Sequence, residues 1–227
     1  MAISVGTYTF DARTTTVRET YERVGGKETR LITLTGLLRG LADRGAIDTA
    51  LDGIMAAVST EDPVYVSIRE GRRIRARRES LAREIHGHHL TGQFVVGMRA
   101  ETAYEESTDP HESPWSIFSS GATLSVANSG NRETVPVVTL TALGSVIGPA
   151  VSDGTHTISY GGVLDFGAVL QFDGEGGRVW LDGADVTAYT TGAMPRLAPG
   201  ETSLTYTDDA SSSHLLSGTV TWRDRWW

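Results

Sequence analysis

The chain contains no cysteine, which removes disulfide frameworks, thiolate nucleophiles and thiolate metal sites together. No run of about 18 apolar residues occurs, so the sequence offers no helical segment able to span a bilayer. The opening "MAISVGTYTF" lacks the basic segment and apolar stretch of a signal peptide. The expectation is a soluble protein made in a cytoplasm, with no membrane partner. Basic residues are in deficit as well: 20 Lys and Arg stand against 28 Asp and Glu, a net charge of -8. Up to Pro114 the balance is 15 against 17, and beyond it 5 against 11. Neither part reads as a basic nucleic-acid-binding module. An acidic surface repels phosphate backbones, so a role near DNA is one in which DNA must not stick.

Catalytic signals are also missing. There is no G-x-S-x-G and no Ser/His/Asp arrangement, and Asp165, Asp173 and Asp182 read as turn residues. The glycines of "GEGG" and "VGG" lie between strands, whereas a phosphate loop sits between a strand and a helix N-terminus. "HGHH", His86 to His89, is the one histidine cluster. His86 and His88 share a side of an extended strand, but no carboxylate partner completes a metal site, and a solvated turn is the simpler reading. The sequence therefore predicts no catalytic residue, no cofactor and no required metal.

What is present is β-structure in two blocks. "AYEESTDPHESPW", Ala103 to Trp115, is poor in apolar residues and carries two prolines, the composition of an exposed linker. The expected division is a first domain over 1-102, a linker over 103-115 and a second domain over 116-227. In the first, "ISVGTYTF", "TRLITLTGLL", "VYVSI", "RRIRARR" and "QFVVGMRAE" read as strands, and Gly25-Gly26 reads as a hairpin turn. Ile47, Leu51, Ile54 and Val58 recur with helical spacing and predict one helix. In the second, "ATLSVAN", "VPVVTLTA", "HTISYG", "AVLQFDG", "RVWLDG", "SLTYT" and "GTVTW" are short strands separated by Gly, Asp or Asn, the pattern of a sandwich or barrel. Leu170 with Phe172, Val138 with Leu140, Leu204 with Tyr206, and Val220 with Trp222 each share the inner face.

Two features point to contacts. On an alternating strand, Arg73, Arg75 and Arg77 face one side and Ile74 and Ala76 the other. Three readings of that stripe stay open: pairing with acids of a neighbouring subunit, a solvated face, or phosphate binding. At the C-terminus Pro199-Gly200 makes a corner into "SLTYT", and "GTVTW" closes the sheet with Trp222 inward. Trp226 and Trp227 lie past that alternation, placed to cover a sheet edge or dock on a neighbour.

"NSGNRETVPVVTLTALG", "ISYGGVLDFGAVLQFD", "GRVWLDGADVTAYTTGAMPRLAPGETSLTYT" and "GTVTWRDRWW" resemble, in that order, the C-terminal domain of siphophage distal tail proteins, the Dit family. The first half, from "YERVGGKETRLITLTGLL" onward, is similar to the ring-forming domain of the same proteins. The resemblance implies a mainly β protein: an N-terminal tail-tube-like β-barrel or sheet with one helix, followed by a C-terminal galectin-like β-sandwich. It implies a structural component of the virion, located at the distal end of the tail and assembled in the bacterial host. It further implies a homohexameric ring, with a tail tube protein and a tail-tip hub or tail-fibre protein as partners. DNA would pass through its channel without specific binding. In that setting Arg73, Arg75, Arg77, Trp226 and Trp227 are the candidate subunit-interface residues. A carbohydrate-binding sandwich is the competing reading, with Trp115, Trp180, Trp226 and Trp227 as stacking surfaces.

Overall fold

The computed structural model describes residues 3–24, 26–59, 61–86 and 90–227. Two compact units emerge, Met1–Thr108 with Trp227, and Asp109–Trp226. Among the described residues no helix is long and apolar enough to cross a membrane.

The first unit is one antiparallel sheet with one helix. Its strands are β1 (Ile3–Val5), β2 (Tyr8–Phe10), β3 (Thr15–Val24), β4 (Lys27–Leu38), β5 (Val64–Arg69), β6 (Arg72–His86), β7 (Thr91–Ala100) and β8 (Glu105–Ser107). They lie in the order β2-β1-β5-β6-β7-β4-β3, and β8 pairs with the start of β6. Between β4 and β5 runs α1 (Arg44–Val58), begun by Asp43, whose carboxylate accepts the Ala46 N–H at 2.8 Å. Ile47, Leu51, Ile54 and Val58 are its buried residues, as their spacing predicts, and they join Ile32, Leu34, Ile74, Phe94, Val96 and Met98 in one core. A glycine permits that contact: a Cβ at Gly92 on β7 would lie 2.7 Å from Ile47 Cγ2.

The second unit is a sandwich. Its strands are β9 (His111–Ile117), β10 (Thr123–Asn128), β11 (Val137–Ala142), β12 (Val146–Ile147), β13 (Ala150–Ser152), β14 (Thr157–Tyr160), β15 (Val163–Leu164), β16 (Val169–Asp173), β17 (Arg178–Leu181), β18 (Ala184–Asp185), β19 (Thr190–Gly192), β20 (Gly200–Thr207), β21 (Leu216–Trp222) and β22 (Arg225–Trp226). One sheet runs β10-β20-β13-β14-β19, the other β18-β17-β16-β11-β21-β9, with a small ribbon of β12 and β15 beside them. Leu204, Tyr206, Val151 and Ile158 from the first sheet and Val138, Leu140, Phe172 and Val220 from the second share one core. Period-two alternation made these positions legible, because a strand's inward residues are every second one. Gly200 opens β20 with φ +89, a conformation L side chains rarely adopt, so the Pro199-Gly200 corner needs its glycine.

The stretch 103–115 differs from the expected linker. Glu105–Ser107 is a strand, His111–Ile117 is the edge strand beside β21, and Ala103 and Trp115 are buried at 7% and 3% exposure. Its low apolar content reflects an edge position, where one proline, Pro114, is tolerated within a strand. The exposed backbone narrows to the few residues between Ser107 and His111.

Candidate assembly surfaces

Strand β6 carries the arginine stripe. Ile74 and Ala76 are buried, and Arg73, Arg75 and Arg77 face the other side, as alternation requires. Their carboxylate partners come from the same chain. Arg73 lies 2.9 Å from Glu106 and stacks 3.8 Å above the Tyr65 ring. Arg75 and Arg77 share Glu101, at 3.3 and 3.2 Å, and Arg77 also donates to the Glu61 carbonyl. Arg75 and Arg77 are more than half exposed, so each of these pairs contributes at most about 1 kcal/mol. The stripe thus presents alternating charge, not a bare cationic face.

A second cluster escaped the sequence reading. Arg30 continues the inner face of β4 after Ile32 and Leu34 and is fully buried. Its guanidinium bonds Glu19 on β3 and, at 3.0 Å, the buried Glu105 on β8. Arg69 at the end of β5 donates to Glu19 at 2.6 Å and to Glu105 at 2.5 Å. Burial alone would raise the Glu19 carboxyl, but hydrogen bonds from Arg69 and Arg30 outweigh it and hold that group below its ordinary range. This contact also reports the sheet's shape. Four inter-strand steps separate β3 from β5, roughly 19 Å if the sheet were flat. The sheet must curl strongly for their side chains to meet.

Curling does not close it. The outer edge of β3 pairs with no strand, and β6 beyond Ala76 is paired only on its β7 side, among the described residues. Two long edges therefore remain on different strands. Both carry charges of each sign, Arg18, Glu22 and Arg23 on one and Arg77, Arg78, Glu79, Arg83 and Glu84 on the other. Charged edge residues discourage indiscriminate pairing while leaving the backbone donors and acceptors available.

In the second unit three histidines each meet a nearly buried aspartate: His111 with Asp224 at 3.0 Å, His156 with Asp153 at 3.0 Å and His214 with Asp208 at 2.7 Å. The aspartates act as clamps. Asp153 accepts the N–H groups of Thr155, His156 and Arg196, which fixes a turn and fastens it to the segment before β20. Burial would raise that carboxyl, but these donors outweigh it and hold it low. Asp208 takes the Tyr206 hydroxyl at 2.8 Å, and burial together with this carboxylate pushes the phenol above its usual range. Around Asp153 lies a polar cleft of about 560 Å³ lined by His156, Arg196, Glu133, Glu201 and Ser203.

Of the remaining candidates, Trp226 is half-buried and Trp227 is 52% exposed. Trp115 packs edge-on against Tyr206 in the core, so it offers no stacking face to a sugar. Of "HGHH", His86 ends β6 and is exposed, while Gly87, His88 and His89 lie outside the described residues. Among the described residues no group of three His, Asp or Glu converges as a metal site.

Residues 129–226 match the family model described as siphovirus-type tail component, C-terminal domain. No curated protein matches the chain. Among solved structures, the chain resembles the crystal structure of the SPP1 Dit protein, described as a paradigm of the hub adsorption apparatus in phages infecting Gram-positive hosts. The TM-score is 0.68 at 11% identity, over 93% of this chain and 89% of that one. The phage P2 baseplate in its activated conformation with Ca overlaps far more loosely, with a TM-score of 0.40 at 6% identity over 99% of this chain and 89% of that one. Residues 129–226 are thus similar to the C-terminal domain of the siphovirus-type tail components, and the chain shares its fold with the SPP1 Dit protein.

Proposed function

We propose that this chain forms a six-membered ring at the distal end of a long phage tail, joining the tail tube to the tail-tip hub or fibres and leaving a channel for DNA. The observation that carries the reading is the pair of open edges on β3 and on the far half of β6. A contact between two different surfaces of identical subunits is head-to-tail, and it generates a ring when the rotation closes. Backbone pairing of one subunit's β3 with the next subunit's β6 satisfies both edges at once, and the mixed charges along them set the register. The arginine stripe on β6, with its partners Glu106 and Glu101 from β8 and the segment after β7, lies beside this seam and adds complementary contacts. The net charge of -8 suits a lumen through which DNA slides without capture.

The reading is tested by the mass of the purified protein in solution, from light scattering, together with proline placed singly at Glu22 and at Arg23. In an antiparallel ladder successive N–H groups point alternately inward and outward. One of the two prolines therefore removes only an outward donor and spares the β3–β4 pairing. A parent of hexamer mass and one variant that keeps its melting temperature but falls to monomer mass are the expected results. A monomeric parent, even when mixed with purified tail tubes, contradicts the ring, and two folded variants of hexamer mass contradict the edge.

A further inference from the structure

The sandwich carries six exposed apolar side chains at one end, none used by its core. Phe166 is 78% exposed and Phe118 71%, and Val163, Leu143, Leu215 and Ile147 range from 51% to 36%. Backbone bonds hold them side by side. Leu216 pairs with Ile117, so the next residues outward, Leu215 and Phe118, are neighbours. The Leu143 N–H donates to the Leu215 carbonyl at 2.9 Å, and the Gly167 N–H to Ala142 at 2.8 Å, which brings Phe166 beside Leu143. Ile147 and Val163 are partners across the β12–β15 ribbon, and the Asp209 N–H ties that ribbon to the loop before Leu215. The same loop is fixed from within by Tyr206 and His214, both bonded to Asp208.

This is a built surface and not scattered exposure. Monomers seldom leave a contiguous apolar patch larger than a few hundred Å² in water, and those they do leave are mostly contact sites. Its charge identifies what fits. The stretches 116–122, 143–149, 161–169 and 207–217 contain no Lys or Arg, and they carry the exposed Asp165 and Asp209, while the Asp208 side chain is buried against Tyr206 and His214. Hydrogen bonds from Ser211 hold Asp209 below its ordinary range, so it stays ionised. A second copy of the patch would bring like charges together, and an anionic lipid surface would be repelled.

We propose that this end of the sandwich docks a basic, apolar segment of another tail protein, the apolar side chains filling the contact and arginines or lysines meeting the acidic rim. The proposal rests on the reading of the chain as a tail component.

Its test is a photo-crosslinking residue at Phe166 in assembled tails, with the crosslinked peptide identified by mass spectrometry, alongside the double variant Phe118→Asp, Phe166→Asp. The expected result is a crosslink to a different tail protein, at a peptide that combines Lys or Arg with apolar residues. The double variant should keep the parent's melting curve and still enter tails, but lose that protein from them. A crosslink to a second copy of this chain, to lipid, to an acidic peptide or to nothing overturns the docking site, as does a double variant that retains the partner. Absence of this chain from purified tails overturns the tail reading itself, which separates the two failures.

Discussion

Arg30 and Glu105 stand 75 residues apart in sequence and 3.0 Å apart in the fold, and neither side chain reaches solvent. Two buried opposite charges are costly to desolvate but far costlier to separate, because removing one leaves the other unpaired in a medium that cannot solvate it. Arg30→Met should therefore lower the stability of the first unit by about 3 kcal/mol. The double change Arg30→Met, Glu105→Leu should recover part of that loss. Urea denaturation followed by circular dichroism of α1 checks both, and an unchanged midpoint for the single variant contradicts the role assigned to the pair.

Acid should weaken both units for the same reason. Glu19 and Asp153 have folded-state pKa values below their unfolded ones, so their contribution is complete above the ordinary carboxylate range and is lost as pH falls through the depressed folded values. Four of the five tryptophans, Trp115, Trp180, Trp222 and Trp226, lie in the second unit, which makes tryptophan fluorescence of a Trp227→Phe chain a probe of that unit. Melting by that signal should drop steadily below about pH 4. Asp153→Asn should flatten part of the drop, and an identical pH profile for variant and parent would argue against the clamp.

The helix seat on β7 gives a steric prediction. Gly92→Ala places a methyl group 2.7 Å from Ile47 Cγ2 inside the core, and overpacking of this kind costs about 1 to 3 kcal/mol. Ile47→Val in the same chain should restore some of it if the crowding is local. Thermal melts of the two single variants and the double give the coupling directly.

Cleavage should find the exposed turn between β8 and β9. Thr108 is still tied to Gly71 through its N–H at 2.9 Å, so a protease at limiting ratio is expected to cut at Asp109 or Pro110 and yield two folded fragments. Digestion that begins inside β9 would mean that this edge strand opens more easily than its pairing with β21 implies.

Charge reversal at Arg75 and Arg77 separates fold from assembly. Both are more than half exposed, and losing their two pairs with Glu101 should cost the isolated subunit at most about 2 kcal/mol. If the stripe flanks a subunit seam, the same change should lower the solution mass at low salt. A variant that melts and assembles like the parent would place the seam away from these residues.

How much of this was visible in the sequence depended on whether the signal was local. Ile47, Leu51, Ile54 and Val58 announce their helix because one face of a helix is written within four turns. Leu204, Tyr206, Val220 and Trp222 announce their strands because alternation is written within a few residues. Arg30 gave no such signal. It occupies an inward position, where a charge reads as the end of a buried face, and although Glu19 lies on the neighbouring hairpin strand β3, its buried partner Glu105 comes from β8, 75 residues away. Trp115 was misplaced because "TDPHESPW" has the composition of a loop, and only the pairing with β21 reveals a strand. Phe118 and Phe166 look like core residues on paper, since nothing local tells an outward phenylalanine in a turn from an inward one.

The two open edges of the first unit also bear on handling the protein. A sheet that ends in unpaired backbone is a template for any extended chain that arrives, and identical chains at high concentration arrive most often. A head-to-tail contact whose rotation misses closure by a few degrees propagates as a filament instead of stopping at a ring. Conditions that neutralise the flanking arginines and glutamates, or that screen them with salt, remove the safeguard first and the geometry second. Preparations of this chain are therefore expected to fail by fibrous growth before they fail by unfolding, and dilution rather than cooling is the remedy.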